Sequence, residues 1–267
     1  AAQLSTEKRR PLGVGIINFA YWMAKNGLTY QDIDGEGLEL IDEWAEAWSY
    51  YLIKASADLA KEQGAPSGNL ETKYGHGITP NQTYAKALDE YLPHKERMDW
   101  DTLRTQLKET GIRNSTLMAL MPSETSAQIA NATNGIEPPR SLISIKQSKH
   151  GVLKQVVPEY KRLKNKYDLL WEQRSPEGYI KIMSVLQKYI DQGISVNTSY
   201  NPTYYEDEKI PLSTMLQHLL LFYKLGGKQL YYFNTYDGQG EIDVSKMFET
   251  ELAPTEIEDE DCESCTI

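Results

Sequence analysis

Apolar positions along the chain fall into two spacings. Between Glu36 and Gln63, Ile41, Trp44, Trp48, Leu52, Ala55 and Leu59 recur at steps of three and four. This predicts a long helix with that stripe buried, ended by Gly64-Ala65-Pro66-Ser67-Gly68. Within Leu12–Lys25, Ile16, Phe19, Ala20 and Met23 share one helical face, and Gly27 suits the C-cap. Asp99–Thr110 reads as a short helix closed by Gly111. Pro158–Trp171 and Pro176–Gln192 read as two more, the second with Ser175 as N-cap and Pro176 in its first turn. Ile210–Leu225 is amphipathic, with Met215, Leu216, Leu219, Leu220 and Tyr223 as its stripe, Pro211 at its start and Gly226 at its end. Short apolar runs at Ser115–Met121, Ser141–Lys146, Ile194–Ser199 and Gln229–Asn234 predict strands. Helices alternating with such strands indicate an α/β fold with parallel strands.

One junction in this pattern carries chemistry. The Ser115–Met121 run ends at Pro122, Ser123-Glu124-Thr125-Ser126 comes next, and a helix is predicted over Ser126–Ala132. The first amides of a helix have no internal acceptor and its dipole favours negative charge there, so strand, hydroxyl-rich turn and helix start together suit an anion. Thr125 with Gln128 also fits a capping box, and a capped junction with nothing bound accounts for the same residues. The loop Asn134-Gly135-Ile136-Glu137-Pro138-Pro139-Arg140 is polar and stiff, the kind of position where sites gather. Gly-Val-Gly at 13–15 lacks the third glycine of a dinucleotide fingerprint and reads as close packing. His76, in the loop 72–80, has no second ligand at metal-binding spacing and reads as a surface or packed histidine. Trp44 and Trp48 read as core.

Composition narrows the classes. The chain has 267 residues, long enough for one large domain or part of a bigger one, and 40% hydrophobic with 25% charged residues is ordinary for a globular protein. No apolar run approaches the roughly 18–20 residues of a membrane span, and no signal peptide is seen, so an intracellular, cytoplasmic location is expected. Between Glu241 and Ile267 stand ten acidic residues and one Lys, a net of −9 against −10 for the whole chain, so residues 1–240 carry only −1. Such a body has no basic face for nucleic acid. From Gly238 onward the chain is acidic and poor in large apolar residues, which predicts a mobile tail over 238–267 after a folded body at 1–237. Both cysteines, Cys262 and Cys265, lie in that tail, so the body has no disulfide framework. The absence of an initiator Met suggests a piece of a larger polypeptide, or one half of a split protein.

Several runs resemble the C-terminal part of the large, catalytic subunit of class I ribonucleotide reductases. They are Arg-Pro-Leu-Gly-Val-Gly-Ile-Ile-Asn-Phe-Ala-Tyr at 10–21, Ala-Lys-Glu-Gln-Gly-Ala at 60–65, Arg-Asn-Ser-Thr-Leu at 113–117 and Met-Pro-Ser-Glu-Thr-Ser at 121–126. Asn-Ala-Thr-Asn-Gly-Ile-Glu-Pro-Pro-Arg at 131–140, Leu-Tyr-Tyr at 230–232 with Asn234-Thr235, and the terminal Cys-Glu-Ser-Cys complete the set. The resemblance spans nearly the whole chain. It implies the later part of a ten-stranded α/β barrel, without the N-terminal allosteric region, the finger loop or the cysteine that becomes a thiyl radical.

The resemblance also implies roles. Ser123, Glu124, Thr125 and Ser126 would bind the diphosphate of a ribonucleoside diphosphate, with the Glu124 carboxylate turned away. Tyr231 and Tyr232 would be a stacked pair relaying an electron and a proton from a radical-generating, metal-containing β subunit, this chain holding no cofactor itself. Adjacent strand residues normally face opposite sides, so stacking would need a strand end or a bulge. In a chain with 18 tyrosines, ordinary strand residues are the competing reading. Cys262 and Cys265 would re-reduce the active-site disulfide and be reduced by thioredoxin or glutaredoxin, although Glu258–Asp261 and Glu263 should raise their thiol pKa. Half of a zinc site is the other reading of the pair. The Ile210–Leu225 helix would help take the C-terminal peptide of the β subunit, or else serve as core. The expected partners are thus the N-terminal part of the large subunit, the β subunit, a dithiol reductant and the nucleotide. A non-catalytic remnant acting as a scaffold for the α or β partner is the rival function.

Overall fold

A computed structural model describes residues 1–148 and 151–238, with the backbone alone for 145–148 and 151–153. The acidic tail, with Cys262 and Cys265, lies outside the described residues. In order, the regular elements are α1 (Ala2–Arg9), α2 (Phe19–Lys25), α3 (Gly35–Gln63), α4 (Trp100–Thr110), α5 (Glu124–Ile129), β1 (Ile143–Ser148) and β2 (Gly151–Val156). They continue with α6 (Tyr160–Leu163), α7 (Glu177–Gln187), β3 (Ser195–Tyr200), α8 (Leu212–Lys224) and β4 (Gln229–Thr235). Short 3-10 turns fill much of 69–90.

The organising layer is a set of parallel extended segments in the order 12–14, 116–120, β3, β4. Parallel bridges join Val14 to Met118 and Leu120 to Ile194, and β3 pairs with β4 in parallel. Leu12 N and Val14 N donate to Thr116 O and Leu117 O at 3.0 and 2.7 Å, and Ser195 N donates to Leu120 O at 3.0 Å. The expectation of parallel strands therefore holds for this layer. It fails for Ser141–Lys146, which belongs to an antiparallel hairpin: Ile143 pairs with Val156 and Ser148 with Gly151.

The helix whose apolar face was read from Ile16 to Met23 starts only at Phe19. Residues 12–14, read as close packing, are drawn into the parallel layer. Asn18, in a left-handed conformation, turns the chain into α2. Phe19, Ala20 and Met23 are buried as expected, while Ile16 precedes the helix. Gly27, with φ +70°, comes after the last helical turn, a backbone setting that favours glycine.

α3 has the predicted length, and its start is capped by Asp34, whose Oδ1 accepts from Gly37 N at 2.7 Å. Its buried stripe is rotated from the predicted one. Leu38, Ile41, Ala45, Ile53, Ala57 and Ala60 are buried, whereas Ala55 and Leu59 are exposed and Trp44, Trp48 and Leu52 are half-buried. Asp42, Glu46, Ser49 and Ser56 share the buried stripe. These polar groups are tolerated because each is bonded. Asp42 Oδ1 accepts from Lys188 Nζ and Tyr189 OH, both at 2.9 Å, and Asp42 Oδ2 accepts from Arg97 Nη1 at 2.7 Å. Glu46 Oε1 accepts from the backbone N of Arg97 at 2.7 Å and from Trp100 Nε1 at 2.9 Å, and its Oε2 from Arg97 Nη1 at 3.1 Å. Ser49 Oγ donates to Tyr189 O and Ser56 Oγ to Asn114 Oδ1, both at 2.8 Å.

α7 packs against α3, with Ile180, Ile182, Val185 and Leu186 fully buried. Its entry is tight: a Cβ on Gly178 would stand 1.8 Å from Tyr30 O, so a side chain there is excluded. The helix ends at Gln187 rather than Gln192. Lys228 Nζ, Gln187 Nε2 and Ile194 N compete for the groups of 187–192, and Lys228 donates to the carbonyls of Ile190, Asp191 and Gln192 at 3.1–3.3 Å. Ser175 does act at the start, accepting from Glu177 N through Oγ at 3.2 Å, with Pro176 in the cap position. The predicted Pro158–Trp171 helix is reduced to the single turn α6 and two 3-10 turns. Lys161, Arg162, Lys164 and Lys166 leave only Leu163 and Tyr167 to bury, too little to hold a helix of that length.

In α8 the buried residues are His218 and Phe222, while Leu212, Leu216, Leu219, Leu220 and Tyr223 are exposed. Of the two readings of its stripe, core or outward face, the structure has the outward one. No helix among the described residues is long and apolar enough to cross a membrane.

The Asp42 network makes a stability prediction. Asp42→Asn removes the charge shared by buried Lys188 and Arg97 and should cost about 3–5 kcal/mol, because an uncompensated buried cation remains. Urea unfolding followed by circular dichroism measures it. A loss under about 1 kcal/mol would mean that the cation reaches water without its partner.

Candidate functional site

The site elements sit at the ends of the parallel layer. The 116–120 segment is held from below by Asp191, just past α7. Its Oδ2 accepts from Leu117 N at 2.7 Å and from Tyr74 OH at 2.9 Å, and its Oδ1 from Met118 N at 3.0 Å. Beyond Leu120 the chain leaves the layer and turns at Pro122 into α5.

α5 begins two residues earlier than predicted and has six residues, with Ser123 at the cap position. The Thr125–Gln128 capping box is not formed, because Thr125 lies inside the first turn rather than before it. Ser123 Oγ is buried with no hydrogen-bond partner, and Ser123 N donates to Asn134 Oδ1 at 3.1 Å. Glu124, Thr125 and Ser126 are exposed around it. The four expected residues are therefore together on one turn, with an unsatisfied hydroxyl at its base.

The loop after α5 is fastened to the start of α2. Asn18 N donates to Thr133 O at 2.9 Å, Thr133 N to Asn18 Oδ1 at 3.0 Å, and Phe19 N to Gly135 O at 3.2 Å. Gly135 takes φ +49° at the point where the loop passes Ser123, and a Cβ there would stand 3.5 Å from Ser123 Oγ. The loop delivers Glu137, which sequence reasoning left inside a generally polar stretch. Its carboxylate accepts from Asn197 Nδ2 at 2.6 Å. Burial pushes its pKa up, and the Asn197 bond and the Arg140 charge pull it back down. A carboxylate flanked by glycine and two prolines was the available signal.

Tyr231 and Tyr232 lie on β4 where its register slips. Val196 pairs with Leu230 but Asn197 pairs with Tyr232, so Tyr231 is the extra residue of a bulge. A bulge lets neighbouring side chains turn to one side. The two rings meet with centroids 4.4 Å apart, and their planes are inclined at 63°. The pair is thus in contact edge to face rather than in a parallel stack, an arrangement aromatic rings favour. Both are about half exposed, at 49% and 56%. The hydroxyl of Tyr231 is the first cause of a raised pKa at Tyr232.

Behind this face, Tyr200 OH bonds His218 Nδ1 at 3.2 Å and the two rings stack at 5.7 Å. Ser175 Oγ lies 3.4 Å from His218 Nε2. Burial lowers the His218 pKa, and Glu177 opposes that. His218 therefore serves α8 as a buried polar anchor. His76 is a surface residue bonded to Leu70 O at 3.0 Å. Among the described residues no group of three or more His, Cys, Asp or Glu could hold a metal ion. Cys262 and Cys265 lie outside the described residues.

The tyrosine contact is open to titration. With 3-fluorotyrosine at position 232, Tyr231→Phe should bring the phenol pKa down toward its ordinary value, because the bond that disfavours the phenolate is gone. Fluorine NMR against pH reads this directly. An unchanged midpoint would show that the hydroxyls do not interact.

Comparison with known proteins agrees with this geometry. Residues 1–233 match the family model described as ribonucleotide reductase, barrel domain. The chain is 51% identical over 264 residues to the ribonucleoside-diphosphate reductase 1 subunit alpha of Salmonella typhimurium, covering 99% of this chain and 34% of that protein. It is 49% identical to the corresponding Escherichia coli subunit, covering 99% and 34%, and 40% identical to the subunit alpha of Enterobacteria phage T4, covering 98% and 33%. The chain spans about a third of the length of these relatives. With a matched model over most of its length and a parallel layer of α/β architecture, the chain belongs to the ribonucleotide reductase barrel-domain family.

Proposed function

We propose that this chain supplies one wall of a ribonucleoside-diphosphate reductase active site, together with the tyrosine relay and the redox tail of that enzyme. The observation that carries the reading is the bulge that brings Tyr231 against Tyr232 on the strand pair next to the 122–126 turn. Two tyrosines in ring contact, each with a phenolic proton to release, suit coupled transfer of an electron and a proton. The turn suits the substrate diphosphate: a buried hydroxyl without a partner, further hydroxyls and the first amides of α5 converge there.

The reaction replaces the ribose 2′-hydroxyl by hydrogen, with loss of water and oxidation of two thiols to a disulfide. Residues 1–238 contain no cysteine. The thiol chemistry at the sugar must therefore come from other residues of the enzyme, and Cys262 and Cys265 would return the electrons from thioredoxin or glutaredoxin. The outward leucines of α8 support a docking role toward the β subunit, which would generate the radical at its own metal centre. That face equally suits the scaffold reading, and activity separates the two.

The purified chain alone should show no reductase activity. Combined with the N-terminal part and the β subunit, it should restore turnover, and Tyr231→Phe or Tyr232→Phe should abolish it. Full activity in both variants would leave only the scaffold role. Cys262→Ser with Cys265→Ser should stop thioredoxin-driven turnover and spare dithiothreitol-driven turnover. Equal loss with both reductants would remove the shuttle role.

A further inference from the structure

We propose that Glu137 is a positioning residue for the tyrosine pair, acting through Asn197 to hold the strand register at the bulge. Tyr231 and Tyr232 are each about half exposed, so packing alone fixes neither ring. Their placement must come from the backbone, and it is set where the register slips. Asn197 is the β3 residue opposite Tyr232 at that slip. Partner residues of paired strands share a face, so Asn197 and Tyr232 stand on the same side.

Asn197 is tied across that face by one strong contact, the 2.6 Å bond from its Nδ2 to Glu137 Oε1. Its Oδ1 is buried without a partner, as is Oγ of Ser199, two residues along the same face. The Glu137 bond is thus what orients the Asn197 amide.

Glu137 is itself rigidly held. Its N donates to Asn134 O at 3.2 Å, Tyr30 OH donates to Ile136 O at 3.0 Å, and Leu170 N donates to Pro139 O at 2.9 Å. Prolines at 138 and 139 stiffen the chain on its C-terminal side. A carboxylate is a costly group to half-bury, and the bond it accepts comes from a neutral amide rather than a cation. Such a cost fits a geometric role better than a stabilising one. The same loop receives Ser123 N on Asn134, so the 122–126 turn and the bulge share one bonded path: Ser123, Asn134, Glu137, Asn197.

The functional meaning of this placement rests on the relay reading of Tyr231 and Tyr232, and the test separates the two. The 267-residue chain carries 3-fluorotyrosine at position 232, and fluorine NMR reads the environment of that ring. Glu137→Ala and Asn197→Ala should each shift and broaden the resonance. Glu137→Gln should return it to the wild-type position, because its amide oxygen still accepts from Asn197. A second label at exposed Tyr204 should stay in place in every variant. The proposal is overturned if Asn197→Ala leaves the Tyr232 resonance unmoved, if Glu137→Gln behaves like Glu137→Ala, or if Tyr204 moves as far as Tyr232. Should Glu137→Ala fail to fold, Asn197→Ala breaks the same bond from its other end and decides alone. A chain that gives the expected resonances but stays active with Phe at 231 and 232 would keep the positioning role and lose the relay.

Discussion

Four charged side chains, Asp42, Glu46, Arg97 and Lys188, meet inside this protein, and much of the remaining structure is hung from them. They join α3, the segment before α4 and the end of α7, three parts of the chain far apart in sequence. Asp42 and Lys188 are essentially inaccessible to water, at 0% and 1% exposure. The charges balance two against two, and Tyr189, Trp100 and the backbone of Arg97 and Met98 fill the remaining acceptor sites. Buried ion pairs of this kind contribute little over an apolar core, but they tolerate few alternatives, because any misplacement strands a charge. Their effect is to fix the rotation of α3 and the axial position of α7.

That axial position has consequences at the site. Asp191 lies directly after α7, and it receives the amides of Leu117 and Met118. The height of the 116–120 segment is thereby linked to the helix. Lys228 caps the carbonyls of 190–192 from the start of β4, so both parallel neighbours of β3 take their positions from the same helix end. The 122–126 turn and the Tyr231 bulge are then two ends of one frame, joined directly by the 134–137 loop.

Where sequence reading departed from the fold, polar groups decided. In α3 the apolar count favoured a stripe through Trp44, Trp48 and Leu59, but two carboxylates one turn apart were carried inward with their cations, and the helix rotated to suit them. Asp42 and Glu46, four apart and on one face, were the readable sign. In α8 the apolar stripe left two readings open, core or outward face, and it points outward. Periodicity shows that a helix has an apolar face; it does not show what covers it. Ile16 shared an apolar helical face with Phe19, yet the helix begins only at Phe19, after residues 12–14 have paired with 116–119, a partner about 100 residues away. For the site, the turn residues were legible because strand, hydroxyls and helix start are local features. Glu137 was not, because its bond to Asn197 spans 60 residues.

By itself the sequence determined the α/β class, the long helix, the family and the turn at Ser123–Ser126, since each depends on residues close together or on whole runs held in common. Only the tertiary structure decided which face of α3 and α8 is buried, that β1 belongs to a hairpin rather than the parallel layer, and that the tyrosine pair meets edge to face at a bulge. Those outcomes turn on pairings between distant segments, where satisfying a buried charge or an open backbone amide outweighs the local preference of the chain.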